Sequence, residues 1–307
     1  MRIAVRMEGG LGDHILANRF IPAILDEHPS SEIHLFSDTN GSELQSVVLR
    51  SLYNYYDNTT LVRRKSDRYT IKSQFGTENF APHINNIVEE DKNLMLSFDK
   101  FYNLHIDLLE WMDYDFNWQN YFYHFPKPHK NIEQFNHANK YIVMHIASDN
   151  MGNNHRMSKS YYKEIIEEIP KEYDIFITST KSTEDFINKN ITTSNRVRII
   201  EAPITKIISL IKNASGLLAI DSGLKYLGYT FNIPTIGWAK ECLRPHTCPS
   251  SHHIRWLTFP QLFFPLSFSA KNVISSLLNL INSNNYILNP TLTGDQLCTN
   301  IIKRIEI

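Results

Sequence analysis

The 307-residue sequence is poor in cysteine, has no surplus of either charge and contains no long hydrophobic run. Three cysteines, Cys242, Cys248 and Cys298, form an odd and sparse set, which argues against a disulfide framework and for a reducing compartment. Lys and Arg number 31 against 32 Asp and Glu, a formal net charge of −1. The basic excess of a generic polyanion binder is therefore missing, although a local basic patch stays open. No apolar run approaches the roughly 18–20 residues that cross a bilayer, and the richest stretch, Trp256 to Phe268, is broken by Pro260 and Pro265. The opening residues MRIAVRM include nothing of secretory-signal length. A cytoplasmic protein without a transmembrane segment is the expectation, with peripheral membrane contact through those aromatics left open. Short-period repeats and low-complexity tracts are also missing, which excludes solenoid and collagen-like classes.

What the chain does have is bulk for a core, with 42% hydrophobic and 12% aromatic residues. Its length exceeds a typical domain of roughly 100–200 residues, so two domains are expected. The strand-like Arg2 to Met7 leads into Gly9-Gly10-Leu11-Gly12-Asp13; Ile15, Leu16, Phe20, Ile24 and Leu25 then recur at helical spacing, and a second strand covers Ile33 to Phe36. Pro22 should kink or divide that helix. Such a βαβ opening predicts a parallel sheet with helices on both faces. From about 61 to 125 few clean periods emerge. Phe125-Pro-Lys-Pro-His-Lys130 and the polar run to Lys140 read as a connection between domains. The βα rhythm then restarts: strands over Tyr141–Ile146, Asp174–Thr178, Val197–Ile200, Gly216–Ile220 and Pro234–Trp238 alternate with helices over Tyr161–Ile169, Ile204–Lys212 and Leu224–Phe231. Two terminal helices follow, Ala270–Ile281 and Asp295–Ile307. The predicted organisation is an N-terminal domain over 1–130, a linker over 131–140 and a C-terminal domain over 141–307.

Glycines 9, 10 and 12 suit a tight turn where backbone approaches a ligand. A dinucleotide site would need a third small residue at position 15, where Ile15 stands, and Asp13 would repel the pyrophosphate at the helix start. An NAD(P)-dependent oxidoreductase is thus a weaker alternative. Asp13 has two readings, a helix N-cap or a general base. The helix dipole would keep it ionised, able to take the proton of a hydroxyl within hydrogen-bond reach.

A second strand-to-helix turn, Leu217-Leu-Ala-Ile-Asp221-Ser-Gly-Leu224, places Ser222 and Gly223 at a helix start with no acid inside the first turn. Backbone amides and the Ser222 hydroxyl suit a diphosphate there, and Gly223 permits close approach. Plain capping by Asp221 is the alternative.

Together the two motifs resemble the heptosyltransferase family of lipopolysaccharide core synthesis, whose members have the GT-B fold, an α/β architecture of two Rossmann-like βαβ domains facing across a cleft. The first resembles that family's Gly-Gly-Leu-Gly-Asp turn, followed by a helix with an internal proline, here Pro22. The second is similar to its Asp-Ser-Gly-Leu-x-His-Leu turn, here Asp221-Ser222-Gly223-Leu224-Lys225-Tyr226-Leu227. His155-Arg156-Met157-Ser158 occupies the place of a Lys/Arg-Trp-Pro segment. The resemblance implies an inverting glycosyltransferase without a cofactor, with an acceptor-binding first domain lined by Gly9, Gly10 and Gly12. Asp13 would be the base, and Asp221, Ser222, Gly223 and Leu224, with Arg156 or His155, would hold a nucleotide-diphosphate sugar. Tyr226 in place of histidine and the missing Trp-Pro pair imply a donor pocket unlike that for ADP-heptose.

Cys242, His246, Cys248, His252 and His253 crowd one loop, but five residues separate the two cysteines, whereas structural zinc sites pair theirs more closely. No metal is expected. Arg63, Arg64, Lys65, Arg68 and Lys72 form the densest basic run, near Tyr53, Tyr55, Tyr56 and Tyr69. A solvated face is the ordinary explanation. An acceptor glycan bearing phosphates, or a nucleic acid such as modified DNA, would also find counter-charge there. A non-catalytic sugar-nucleotide-binding protein is the last alternative; it would keep the Asp221 turn without needing a base at position 13.

Overall fold

The computed structural model describes residues 2–7, 11–18, 21, 29, 32–37, 42–54, 62–63, 94–98, 127–147, 159–220, 222–239, 254–258 and 269–283. The chain falls into two compact units, Met1–Asn131 and Ile132–Ile307.

In the first unit, β1 (Arg2–Met7) leads to α1 (Leu11–Ala17), then β2 (Glu32–Ser37), α2 (Ser42–Leu52), β3 (Val62–Arg63) and β4 (Leu94–Phe98). The strands form one parallel sheet in the order β3-β2-β1-β4. Parallel strands require crossovers, which α1 supplies between β1 and β2. On α1 and the residue after it, Gly12, His14, Ile15 and Asn18 are buried; from α2 and the residue after it, Val48, Leu49, Leu52 and Tyr53 are buried too. Helix α1 ends at Ala17, and Ile21 is again helical, within the segment where a divided helix is expected; Pro22 lies outside the described residues.

In the second unit the elements are β5 (Tyr141–His145), α3 (Lys159–Glu168), β6 (Asp174–Ser179), α4 (Glu184–Asn190), β7 (Val197–Glu201), α5 (Ile204–Lys212), β8 (Gly216–Ala219), α6 (Lys225–Phe231), β9 (Thr235–Ala239), β10 (Ile254–Thr258) and α7 (Ala270–Asn282). All six strands are parallel, in the order β10-β9-β8-β5-β6-β7. Read from β7, this is the 3-2-1-4-5-6 order of doubly wound sheets.

Strands buried on both faces read as continuous apolar runs, and every residue of β5, β6 and β8 is buried. One face carries Ile142, Met144, Ile175, Ile177, Leu218, Ile236 and Trp238 against Tyr162 and Ile165 of α3 and Val273, Ile274 and Leu277 of α7. The buried positions of α7 follow helical spacing, and its start is capped by the Ser269 hydroxyl, which accepts from the Asn272 amide at 3.2 Å. Arg196 donates to the carbonyls of Ile166, Ile169 and Pro170, satisfying the end of α3. On the other face the Tyr141 hydroxyl donates to the Leu210 carbonyl of α5 at 2.9 Å. Burial pushes the Tyr141 phenol up.

The polar run to Lys140 is fixed onto this second sheet. Ser209 donates to the Glu133 carbonyl, and the Phe135 ring meets those of Tyr141 and Phe176, each 5.6 Å away. His137 Nε2 bonds Asp174 Oδ2 at 2.6 Å. Upstream, the amides of His129 and Lys130 donate to the Leu52 carbonyl at the end of α2. The chain thus passes from one unit to the other within a few residues around Asn131.

Candidate functional site

In a doubly wound sheet, helices that follow the two central strands leave to opposite faces, and a crevice opens between the carboxyl ends of those strands. Here the two strands are β5 and β8, followed by α3 on one face and α6 on the other. Pairing between them continues past the sheet, because the Ile220 amide donates to the His145 carbonyl at 3.0 Å. His145, the last residue of β5, is buried, and its Nδ1 shares a 2.8 Å hydrogen bond with the Thr178 hydroxyl of β6.

The chain then turns through Ser222, Gly223 and Leu224, all half-buried. Ser222 Oγ is shut off from solvent and has no hydrogen-bond partner among the described residues. A buried hydroxyl left unbonded costs about 1–3 kcal/mol, so such an atom in a native turn asks for an explanation. The first turn of α6 is wound tightly. The amides of Lys225, Tyr226 and Leu227 donate to the carbonyls of Ser222, Gly223 and Leu224 at 3.3, 3.2 and 3.1 Å. An anion at this turn would therefore have to use the amides of Ser222, Gly223 and Leu224 themselves.

Helix α6 is pressed onto the sheet. A Cβ at Gly228 would stand 2.2 Å from Thr235 Oγ1, so the two segments approach at a distance only glycine allows. The helix ends at Asn232, in the left-handed region with φ 54°, a conformation asparagine tolerates. On β9, Trp238 Nε1 is a second buried polar atom without a partner among the described residues.

In the first unit the helix that carries Asp13 begins at Leu11, so Asp13 lies inside the first turn of α1 rather than ahead of it. The N-cap reading of Asp13 does not fit those bounds, while a carboxylate in a first turn is favoured by the helix dipole. The strand before it, β1, lies between β2 and β4, so α1 also rises from the carboxyl end of a central strand. Gly12 is buried beside Asp13.

Of the remaining expected site residues, Gly9, Gly10, His155, Arg156 and Asp221 lie outside the described residues, as do Cys242, His246, Cys248, His252 and His253. Arg63 forms the end of β3, and the rest of the basic run is outside them. Among the described residues no group of three or more His, Cys, Asp or Glu side chains could hold a metal ion. No described helix is long and apolar enough to cross a membrane. Sequence reasoning overlooked the His145–Thr178 pair at the carboxyl ends of β5 and β6.

No protein-family model matches the chain, and no curated protein matches it by sequence. Solved structures do match. A family 9 glycosyltransferase from Veillonella parvula superposes with a TM-score of 0.64 at 14% identity, over 91% of this chain and 97% of that one. The E. coli ADP-heptose lipopolysaccharide heptosyltransferase II gives 0.58 at 11% identity, over 92% and 98%. E. coli heptosyltransferase WaaC with ADP gives 0.59 at 10% identity, over 91% and 100%. The chain shares the fold of these glycosyltransferases along nearly its whole length.

Proposed function

We propose that this chain is an inverting glycosyltransferase that moves a sugar from a nucleotide diphosphate to an acceptor hydroxyl. The observation that carries the reading is the buried Ser222 hydroxyl, without a partner among the described residues, in the turn that follows β8 at the carboxyl edge beside β5. A fold shared with glycosyltransferases supports it, as do the two turn motifs around Asp13 and Asp221.

In this reading the second unit holds the donor. The amides of Ser222, Gly223 and Leu224 and the Ser222 hydroxyl face the diphosphate, and Arg156 or His155 adds positive charge. The first unit brings the acceptor, with Gly9, Gly10 and Gly12 shaping the turn before Asp13. Asp13 accepts the proton as the acceptor oxygen attacks the anomeric carbon. That carbon's bond to the diphosphate oxygen breaks, its configuration inverts, and the nucleoside diphosphate departs with the bonding pair. Charge grows on the leaving oxygen, where preorganised donors and cations contribute most. A phosphorylated glycan of the lipopolysaccharide-core kind is the acceptor class the motif resemblance favours. Tyr226 in the family's histidine place argues for a donor other than ADP-heptose.

The test is a thermal-shift panel of ADP, UDP, GDP and CDP followed by transfer assays with the sugar nucleotide of the base that binds. A ligand that binds only the folded state stabilises it by mass action, so one base should raise the melting temperature with concentration. A flat panel overturns the donor site; binding with neither transfer nor donor hydrolysis leaves a non-catalytic binder instead.

A further inference from the structure

Trp238 is 5% exposed, and its Nε1 is buried without a partner among the described residues. A buried indole usually finds an acceptor for its N–H. Phenylalanine would supply an aromatic ring with no polar atom to desolvate, so the N–H costs about 1–3 kcal/mol that packing alone does not explain. The place of the residue in the sheet gives that donor a use. Strand β9 pairs with β8 as far as Ala219 opposite Gly237. Trp238 therefore stands one position beyond the end of β8, at the carboxyl edge where a doubly wound sheet receives its ligand. Ser222, whose hydroxyl is also buried and without a partner among the described residues, lies three residues past the same end of β8. Two unsatisfied polar atoms are thus carried at one edge of the sheet, by the ends of neighbouring strands.

The chemistry of the two atoms differs. A serine hydroxyl donates and accepts, whereas the indole nitrogen only donates. Trp238 shares a buried apolar cluster with Leu218, Ile236, Val273, Ile274 and Leu277, and a charged group brought among these would lose its water at high cost. A neutral acceptor suits the position better. Sugars carry many hydroxyls and need many polar partners, while a nucleobase is flat, largely apolar and bears its acceptors at the edge, which matches an apolar setting with one fixed donor. We propose that Trp238 Nε1 donates to the base of the donor nucleotide and is a specificity-determining residue of the donor site. This rests on the donor-site reading above. Ser222 then meets the charged end of the donor and Trp238 its uncharged end.

The experiment follows the indole N–H resonances of the full chain by nitrogen-15 NMR while ADP, UDP, GDP, CDP or inorganic pyrophosphate is added. The sequence has four tryptophans, Trp111, Trp118, Trp238 and Trp256, so replacing the other three by phenylalanine one at a time assigns the Trp238 signal without altering Trp238. That signal should move downfield with the diphosphate that binds and with its nucleoside, and stay in place with pyrophosphate. Calorimetry of Trp238→Phe should show about a fivefold loss for the same nucleoside and diphosphate, the scale of one neutral hydrogen bond, with pyrophosphate affinity unchanged. An unmoved Trp238 signal in a wild type that binds a diphosphate overturns the role of Trp238 and leaves the donor site standing. So does unchanged nucleoside affinity in Trp238→Phe, or an equal response to pyrophosphate. A wild type that binds none of the diphosphates overturns the donor site and this inference with it. If Trp238→Phe does not fold, the wild-type signal alone decides.

Discussion

Gly228 and Thr235 approach so closely that a Cβ on the glycine would meet the threonine hydroxyl oxygen at 2.2 Å. Thr235 cannot simply turn away, because its hydroxyl donates to the Ile233 carbonyl at 2.7 Å and the residue is fully buried. Gly228→Ala should therefore destabilise the chain by about 1–3 kcal/mol, even after the roughly 1 kcal/mol that alanine gains over glycine in a helix. Adding Thr235→Ala should restore part of the loss, since coupled neighbours are not additive. Urea denaturation of the two single variants and the double variant measures this, and strict additivity counts against the contact.

Ser222→Ala separates binding from folding. Removing a buried hydroxyl that has no partner among the described residues should leave stability unchanged or raise it by about 1 kcal/mol. Nucleotide affinity should nevertheless fall several-fold if the hydroxyl awaits a phosphate. A variant that loses stability instead would show that the hydroxyl is satisfied within the fold.

Asp13→Asn keeps the size of the side chain and removes the base. Transfer should drop by about 100-fold or more, the usual scale for a positioned proton acceptor, while the melting shift with nucleotide stays as in wild type. Analysis of the product anomer in the wild-type reaction tests inversion; a retained configuration contradicts a single displacement.

Acid stability depends on Asp174. The hydrogen bond from His137, with help from Asn139 and the nearby positive charges, holds its carboxyl below the usual carboxylate range despite burial. A carboxylate depressed in the folded state stabilises above its unfolded value of about 3.9, and that contribution disappears as pH falls through the folded value. Wild type should thus lose stability below about pH 4 more steeply than Asp174→Asn, which is weaker at neutral pH but flatter in acid. Thermal melts from pH 3 to 7 supply the comparison, and parallel curves would contradict it.

Much of the second unit was legible because its strands are short apolar runs buried on both faces and separated by turn residues. Gly216 to Ala219 and Tyr141 to His145 announce themselves this way. Helix α4 did not, since Glu184-Asp-Phe-Ile-Asn-Lys-Asn190 offers two apolar residues and buries Ile187. Helix α2 was overlooked because exposed Val47 sits beside buried Val48 and Leu49, which blurs the helical period. Strand β10 was hidden in a stretch read for its aromatics and prolines. At the site, turn chemistry marked Ser222 and Gly223. Strand order alone revealed His145: its place beside β8 depends on a crossover that joins residues far apart in sequence, and no local pattern encodes that adjacency.

The boundary between the two compact units falls between Asn131 and Ile132. A break between Asn131 and Ile132 leaves His129 and Lys130 on Leu52 in the first piece. It leaves Ile132 and Glu133 with Lys212, Ser209 and Lys206 in the second. The second piece contains the six-stranded sheet and the Ser222 turn. The proposed nucleotide site and the proposed base thus lie on opposite sides of one boundary in the chain, so binding and transfer are assigned to different segments of the sequence.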